Sequence, residues 1–171
     1  MPVFLRLAFH DAGTYDASDR SGGANASIFH EIGHPDRPEH TGLEWALEQI
    51  KDVQENGNHI TAELSLADII QLGAIAAVQY TGGPVIKFKM GRIDATQMDQ
   101  TRLLDFDAPL FSNYERMGFN DREIAAVMGC HALGKANPET AGVSGRWTMN
   151  PYVFDNDYYK NILMGENNKY L

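Results

Sequence analysis

The sequence predicts a mainly α-helical protein, and three of its features carry that expectation. Apolar residues recur at helical spacing in several separate stretches. Those stretches open on capping signals and close on glycine. Only residues 85–94 are β-prone, and Gly91 breaks them, so they read as an extended connection.

Residues 3–12 form a mostly apolar block that Gly13 terminates. Residues 14–40 carry Gly22, Gly23, Gly33, Pro35 and Pro38, which predict a long irregular segment. Thr41 with Glu44 spells a capping box ahead of Leu43, Ala46, Leu47, Ile50 and Val53, and Asn56-Gly57 ends that helix. Ser65 with Asp68 repeats the box before Ile69, Leu72, Ile75, Ala76 and Val78, closed by Gly82-Gly83-Pro84. A short helix is expected around Asn113–Met117. Asn120 with Glu123 then caps a helix expected to run through Ile124, Val127, Met128 and His131. The last begins near Asp155 and carries Tyr159, Ile162 and Leu163.

A chain of 171 residues with 43% hydrophobic and 22% charged residues can bury a core of ordinary size. Its net charge of −9, with no basic stripe, argues against nucleic acid as a partner. No stretch reaches the roughly 18 apolar residues of a membrane span, so none is expected. The opening Met-Pro-Val-Phe-Leu is too short for a signal-peptide core. Cys130 is the single cysteine, which leaves no internal disulfide and suggests a reducing, intracellular compartment.

Arg6 and His10 stand four apart, so a helix projects both from one face. Such a pair suits the splitting of a polarised bond. The imidazole moves a proton while the guanidinium stabilises developing negative charge. Spacing alone nevertheless favours a surface arginine and a satisfied core histidine. His131 has small neighbours, Gly129, Ala132 and Gly134, which leave room for a flat bulky group. Histidine is a common axial ligand of haem iron, although a lone helical histidine is more often structural. Cys130 reads as a small buried hydrophobe.

The run from Arg6 through Leu7, Ala8, Phe9, His10, Asp11, Ala12, Gly13 and Thr14 to Tyr15 resembles the distal helix of the class I haem peroxidases. That group contains ascorbate peroxidase and cytochrome c peroxidase. The run from Met128 through Gly129, Cys130, His131, Ala132, Leu133 and Gly134 to Lys135 resembles their proximal motif. Trp147 follows at the spacing of the family's proximal tryptophan. Gly22–Asn25, Ala67-Asp68, Gly82–Pro84, Gly91–Asp94 and Phe154–Asn156 match in order.

The resemblance implies a haem-peroxidase-like helical fold, with haem b as cofactor and hydrogen peroxide as substrate. It implies a distal haem-pocket domain over residues 1–115 and the start of a proximal haem-binding domain over 116–171. The family's first helix, its last proximal helices and an aspartate that braces the proximal histidine have no counterpart, so the proximal part is expected to be incomplete. By resemblance His131 is the axial iron ligand, His10 the proton carrier, Arg6 the charge stabiliser and Trp147 a candidate radical site. The electron donor is a small reductant, ascorbate or a phenol, or cytochrome c. The implied role is the response to oxidative stress, in plastid, mitochondrion or cytosol.

Several positions depart from the family pattern. Phe9 occupies the place of a distal tryptophan and has no indole N–H to donate, which implies peroxidase chemistry without strong catalase activity. His40 replaces an asparagine that accepts the distal histidine's Nδ1–H, and is either that acceptor or a loop histidine. Thr140 stands where ascorbate peroxidases hold ascorbate with an arginine, and Asn137 replaces a histidine near the haem propionates. Ala132 replaces a potassium-binding threonine, so no cation is expected. Near His30 and His34, the breakers Gly33, Pro35 and Pro38 argue against a preformed metal cluster. These departures admit a rival reading, a non-catalytic peroxidase-like subunit of a protein complex.

Overall fold

The computed structural model describes residues 1–100, 111–138 and 144–165. Eight α-helices order them: α1 (Pro2–Ala12), α2 (Ile28–Glu31), α3 (Glu44–Asn56), α4 (His59–Ala62), α5 (Leu66–Tyr80), α6 (Ser112–Arg116), α7 (Asp121–Met128) and α8 (Asp157–Met164). Two 3₁₀ turns, Pro38–His40 and Gly129–Ala132, complete the list. The mainly α expectation holds, and residues 85–94 belong to no helix or strand.

Helices α1, α3 and α5 form the core, with α1 lying along α5. Leu7, Leu43, Ala46, Ala67, Ile70 and Ile28 are buried at its centre. Starting at Pro2 costs α1 nothing, because a proline at the first position lacks only an N–H that has no helical partner. Helix α5 opens on Ser65, whose side chain accepts from the Asp68 N–H. Asp94 reinforces that end by accepting from the N–H groups of Leu66 and Ala67 at 2.9 and 2.8 Å. Asp68 in turn accepts from Gly91 N–H and from the Arg92 guanidinium, at 2.6 and 2.8 Å. The matching stretches at 67–68 and 91–94 are thus two halves of one clasp.

Three local expectations are corrected. Thr41 does not cap α3; its hydroxyl donates to the Pro38 carbonyl at 2.8 Å, and Leu43 stands at the N-cap. The 14–40 segment is not wholly irregular, since it contains α2 and the Pro38–His40 turn. Helix α4 was unforeseen, although Asn58 caps it by accepting from Ile60 and Thr61 N–H. The Asn120–Glu123 capping box forms as expected, with both reciprocal bonds. Its helix ends at Met128, however, and the chain tightens into the 3₁₀ turn that carries His131.

The later helices are tied back to the core by polar contacts. Arg116 donates to the carbonyls of Tyr15 and Gly13, and Ala17 N–H donates to Arg116 O at 2.9 Å. Phe154 N–H donates to Thr81 O at the end of α5, at 2.8 Å. Among the described residues no helix is long and apolar enough to cross a membrane.

Candidate active site with two histidine clusters

The first cluster is built on α1. One helical turn separates Arg6 from His10, and the Arg6 Nε–H points at His10 Nε2 from 3.4 Å. Arg6 is pinned by Nη2 donating to the carbonyls of Glu39 and Thr41, at 2.8 and 3.1 Å. The other face of the His10 ring system meets His40, with the two Nδ1 atoms 3.0 Å apart. His40 is fully buried, and its Nε2 lies 2.9 Å from Glu31 Oε2. Glu31, 1% exposed, also accepts from Ser27 Oγ at 2.7 Å and Asp99 N–H at 3.2 Å. Of the two readings of His40 in the sequence, the structure therefore shows the contact with His10.

The tautomers follow from this chain of contacts. Burial raises the Glu31 carboxyl, but the opposing hydrogen bonds from His40, Ser27 and Asp99 prevail, and it lies below the usual glutamate range. It is a carboxylate and accepts from His40 Nε2–H. A neutral His40 then has a bare Nδ1, so His10 must donate through its own Nδ1–H. His10 Nε2 is left with a lone pair, which also fits the Arg6 N–H aimed at it. Burial, the Arg6 charge and then His40 hold His10 well below the ordinary histidine value. The ring is a neutral base.

Asp11 lies beneath this cluster and is fully buried. Its carboxyl accepts from Ala26 and Ile28 N–H at 3.1 and 3.4 Å, fixing the entry to α2. Burial, with Glu31 and Asp99 nearby, pushes its pKa from 3.8 up to about 7. Between those values the folded protein holds a proton that the unfolded chain has released. That contribution to stability is full below about pH 4 and is lost as the pH rises to about 7. His10 acts oppositely, because below 6.5 the unfolded ring gains a proton that the folded one resists. Denaturation midpoints of wild type and Asp11→Asn, compared from pH 4.5 to 7.5, isolate the Asp11 part. The difference should change by up to roughly 1.4 kcal/mol per pH unit. Parallel profiles would show that Asp11 titrates normally.

The second cluster surrounds His131. Its Nδ1 lies 3.0 Å from the Met128 carbonyl, which can only accept, so Nδ1 carries the proton. Nε2 is therefore the donor atom available to a metal. Burial holds this ring too below the ordinary histidine value. The Trp147 ring lies 4.6 Å away and the buried Tyr158 ring 5.1 Å away, centroid to centroid. Thr148 Oγ1 donates to Ala132 O at 3.1 Å, and Asn161 Nδ2 donates to Trp147 O at 2.6 Å. These two bonds hold the tryptophan segment against the 3₁₀ turn. Among the described residues, the Nδ1 contact of this ring is thus made to a backbone carbonyl.

The small residues around His131 do not simply leave open space, contrary to expectation. A Cβ on Gly129 would lie 2.6 Å from the Tyr159 hydroxyl, and one on Gly134 would lie 3.1 Å from Pro2 Cβ. Tyr159 fills the first gap and donates to Ala125 O. Burial pushes the Cys130 thiol up to about 11, which keeps it protonated and a poor nucleophile.

Phe9 packs beside the first cluster. Its ring meets His10 edge-on at 6.4 Å and Tyr114 at 6.1 Å. The Tyr114 hydroxyl donates to Met128 Sδ at 3.4 Å, three residues before His131. Arg6, His10, Phe9 and His40 are thus brought together, as are His131 and Trp147. Thr140 lies outside the described residues. Glu31 and Asp99 were missed in the sequence, because neither stands at a local spacing from His10.

The peroxidase family model matches residues 1–168. The chain belongs to the peroxidase family. This peroxidase-family chain is 43% identical over 169 residues to L-ascorbate peroxidase 5, peroxisomal, of Arabidopsis thaliana, covering 96% of the chain and 58% of the relative. It is 38% identical over 174 residues to the same plant's L-ascorbate peroxidase 2, cytosolic, covering 96% and 65%. Against the mitochondrial cytochrome c peroxidase of Cryptococcus neoformans var. grubii, identity is 36% over 167 residues, covering 92% and 42%. The peroxidase-family chain spans little more than half the length of the first of these relatives.

Proposed function

We propose that this chain carries the peroxide-cleaving part of a haem peroxidase, which reduces hydrogen peroxide to water with electrons from a donor. The observation that carries the reading is the bare His10 Nε2, fixed by His40 and Glu31 beside the Arg6 guanidinium. Membership of the peroxidase family supports the same reaction. The cofactor would be haem b, held by His131 through Nε2. The donor set fits: one imidazole nitrogen is bonded to a carbonyl and the other holds a lone pair. Haem, when bound, would supply the redox chemistry of the reaction.

The chain's own residues handle the protons and the charge. His10 Nε2 takes the proton of the peroxide O–H and returns it to the departing oxygen. Arg6, held in place by two carbonyls, stabilises the negative charge that develops on that oxygen. Phe9 presents a ring with nothing to donate, so His10 and Arg6 supply the polar contacts on this side. Trp147 would carry an electron at the proximal end, a role that its ring contact with His131 supports.

The physiological donor is ascorbate, a phenol or cytochrome c, and the setting is defence against oxidative stress inside the cell. Relatives bear names that place them in peroxisome, cytosol and mitochondrion. Adding haemin to the purified protein tests the reading. A Soret band that shifts on peroxide addition supports it. Absence of haem uptake, or co-purification as a silent member of a complex, supports the non-catalytic subunit instead. Stopped-flow reduction by the three donors in parallel then identifies the partner.

A further inference from the structure

The arrangement behind His10 does more than hold a ring in place. An amide at position 40 could accept the His10 Nδ1–H and nothing further. An imidazole can accept the hydrogen bond and then keep the proton. His40 is fully buried between His10 on α1 and Glu31 on α2, and both of its ring nitrogens are engaged, at 3.0 and 2.9 Å.

We propose that His40 and Glu31 form a buried proton store behind His10, so that the proton taken from substrate resides on His40. This rests on the proposed role of His10 as the base. The step balances with no added reactant. Substrate O–H gives its proton to His10 Nε2, and the Nδ1–H proton of His10 passes to His40 Nδ1. His10 is again neutral, now protonated at Nε2. His40 carries protons on both nitrogens, and its charge faces the Glu31 carboxylate. The reverse transfers return the proton to the leaving oxygen.

Electrostatics gives the direction. A cation on His10 would sit against Arg6, whose Nε is 3.4 Å from the ring. The same cation on His40 is moved away from Arg6 and placed in hydrogen-bond contact with an anion. The remaining charged groups are arranged around Glu31 and His40. Asp99 and Asp11 lie on the Glu31 side, and the charges of Glu31 and Asp99 help raise the Asp11 carboxyl. On the turn that bears His40, Arg37 and Glu39 are buried, and Arg37 donates to the Asp99 carbonyl. Asp11 is kept largely protonated at mildly acidic pH, so Glu31 is the anion in direct contact with His40. His40 is a positioning residue that acts through His10.

Long-range ¹H–¹⁵N correlation spectra of the full chain, recorded without haem, test this directly. At neutral pH His10 should carry its proton on Nδ1 and His40 on Nε2. On acidification the first proton should make His40 doubly protonated while His10 changes tautomer. His40→Asn retains an acceptor but removes the store, so His10 should take its proton roughly one pH unit lower or more. Glu31→Gln should shift the uptake in the same direction. In haemin-loaded protein, His40→Asn should move the acid limb of the peroxide reaction likewise and lower its plateau by roughly tenfold. A proton on His40 Nδ1 at neutral pH overturns the store, as does first protonation at His10 or a His40→Asn titration matching wild type. Those outcomes leave haem uptake and peroxide turnover intact, whereas failure of the peroxidase reading shows as no Soret response beside normal histidine spectra.

Discussion

Replacing His10 with leucine should slow the peroxide-driven change in the Soret band of haemin-loaded protein by roughly 10²–10⁴-fold. The size follows from what the substitution removes. His10 Nε2 is the only nitrogen of the His10–His40 pair that is both bare and turned toward Arg6. Leucine fills most of the volume but accepts no proton. His40 is left buried with an unpaired Nδ1, yet its bond to Glu31 remains, so the fold and haem uptake should persist. Stopped-flow rates at several peroxide concentrations give the second-order constant. A value within threefold of wild type would remove His10 from the reaction. Arg6 remains pinned to Glu39 and Thr41 in this variant, so the loss reports the proton step and not a displaced guanidinium.

The second large effect is on cofactor retention. His131→Ala should weaken haemin binding by at least roughly 100-fold, because losing only an orienting partner of a metal ligand commonly costs about 10–100-fold. Among the described residues, neither neighbouring candidate replaces the ligand. Cys130 is adjacent, but its thiol is held protonated, with burial pushing it up to about 11. Tyr158 is buried and its phenol is also raised by burial, so it stays neutral. Titration of haemin into both proteins, followed at the Soret maximum and by gel filtration, gives the comparison. Equal affinity and an unchanged spectrum would place the iron elsewhere. Trp147 and Tyr158 pack on the imidazole, so the variant also opens a small void between two rings. Circular dichroism should nevertheless show unchanged helix content.

What the sequence disclosed about this molecule depended on range. The Asn120–Glu123 box, the Ser65 cap and the four-residue step from Arg6 to His10 are encoded within one helical turn, and each is realised. The Thr41–Glu44 pattern looked as good, but a nearer acceptor, the Pro38 carbonyl, took the Thr41 hydroxyl. Short-range patterns fail where a competing short-range bond exists. Helix α4 was not legible: Asn58 caps it, but it spans only His59–Ala62 and lacks an apolar repeat to reveal it. Gly129 illustrates a subtler failure. Its smallness was read as space beside His131, whereas Tyr159, thirty positions on, fills that space. Glu31 could not be read as His40's partner because only the turn at Pro38–His40 brings α2 and His40 together.

Asp99 sets the timetable for this assembly. Its carboxylate receives the Thr14 hydroxyl and the Asn25 amide from 85 and 74 positions away, and its carbonyl receives Arg37 from 62. Its own N–H reaches Glu31 across 68 positions. Joining points so distant along a chain is entropically slow, so helices such as α1 and α5 can form well before this knot is tied. A nascent chain halted before residue 99 would hold both imidazoles with Glu31 short of a clamp. Order around Glu31 on this side of the protein therefore waits on contacts that reach across 62 to 85 positions.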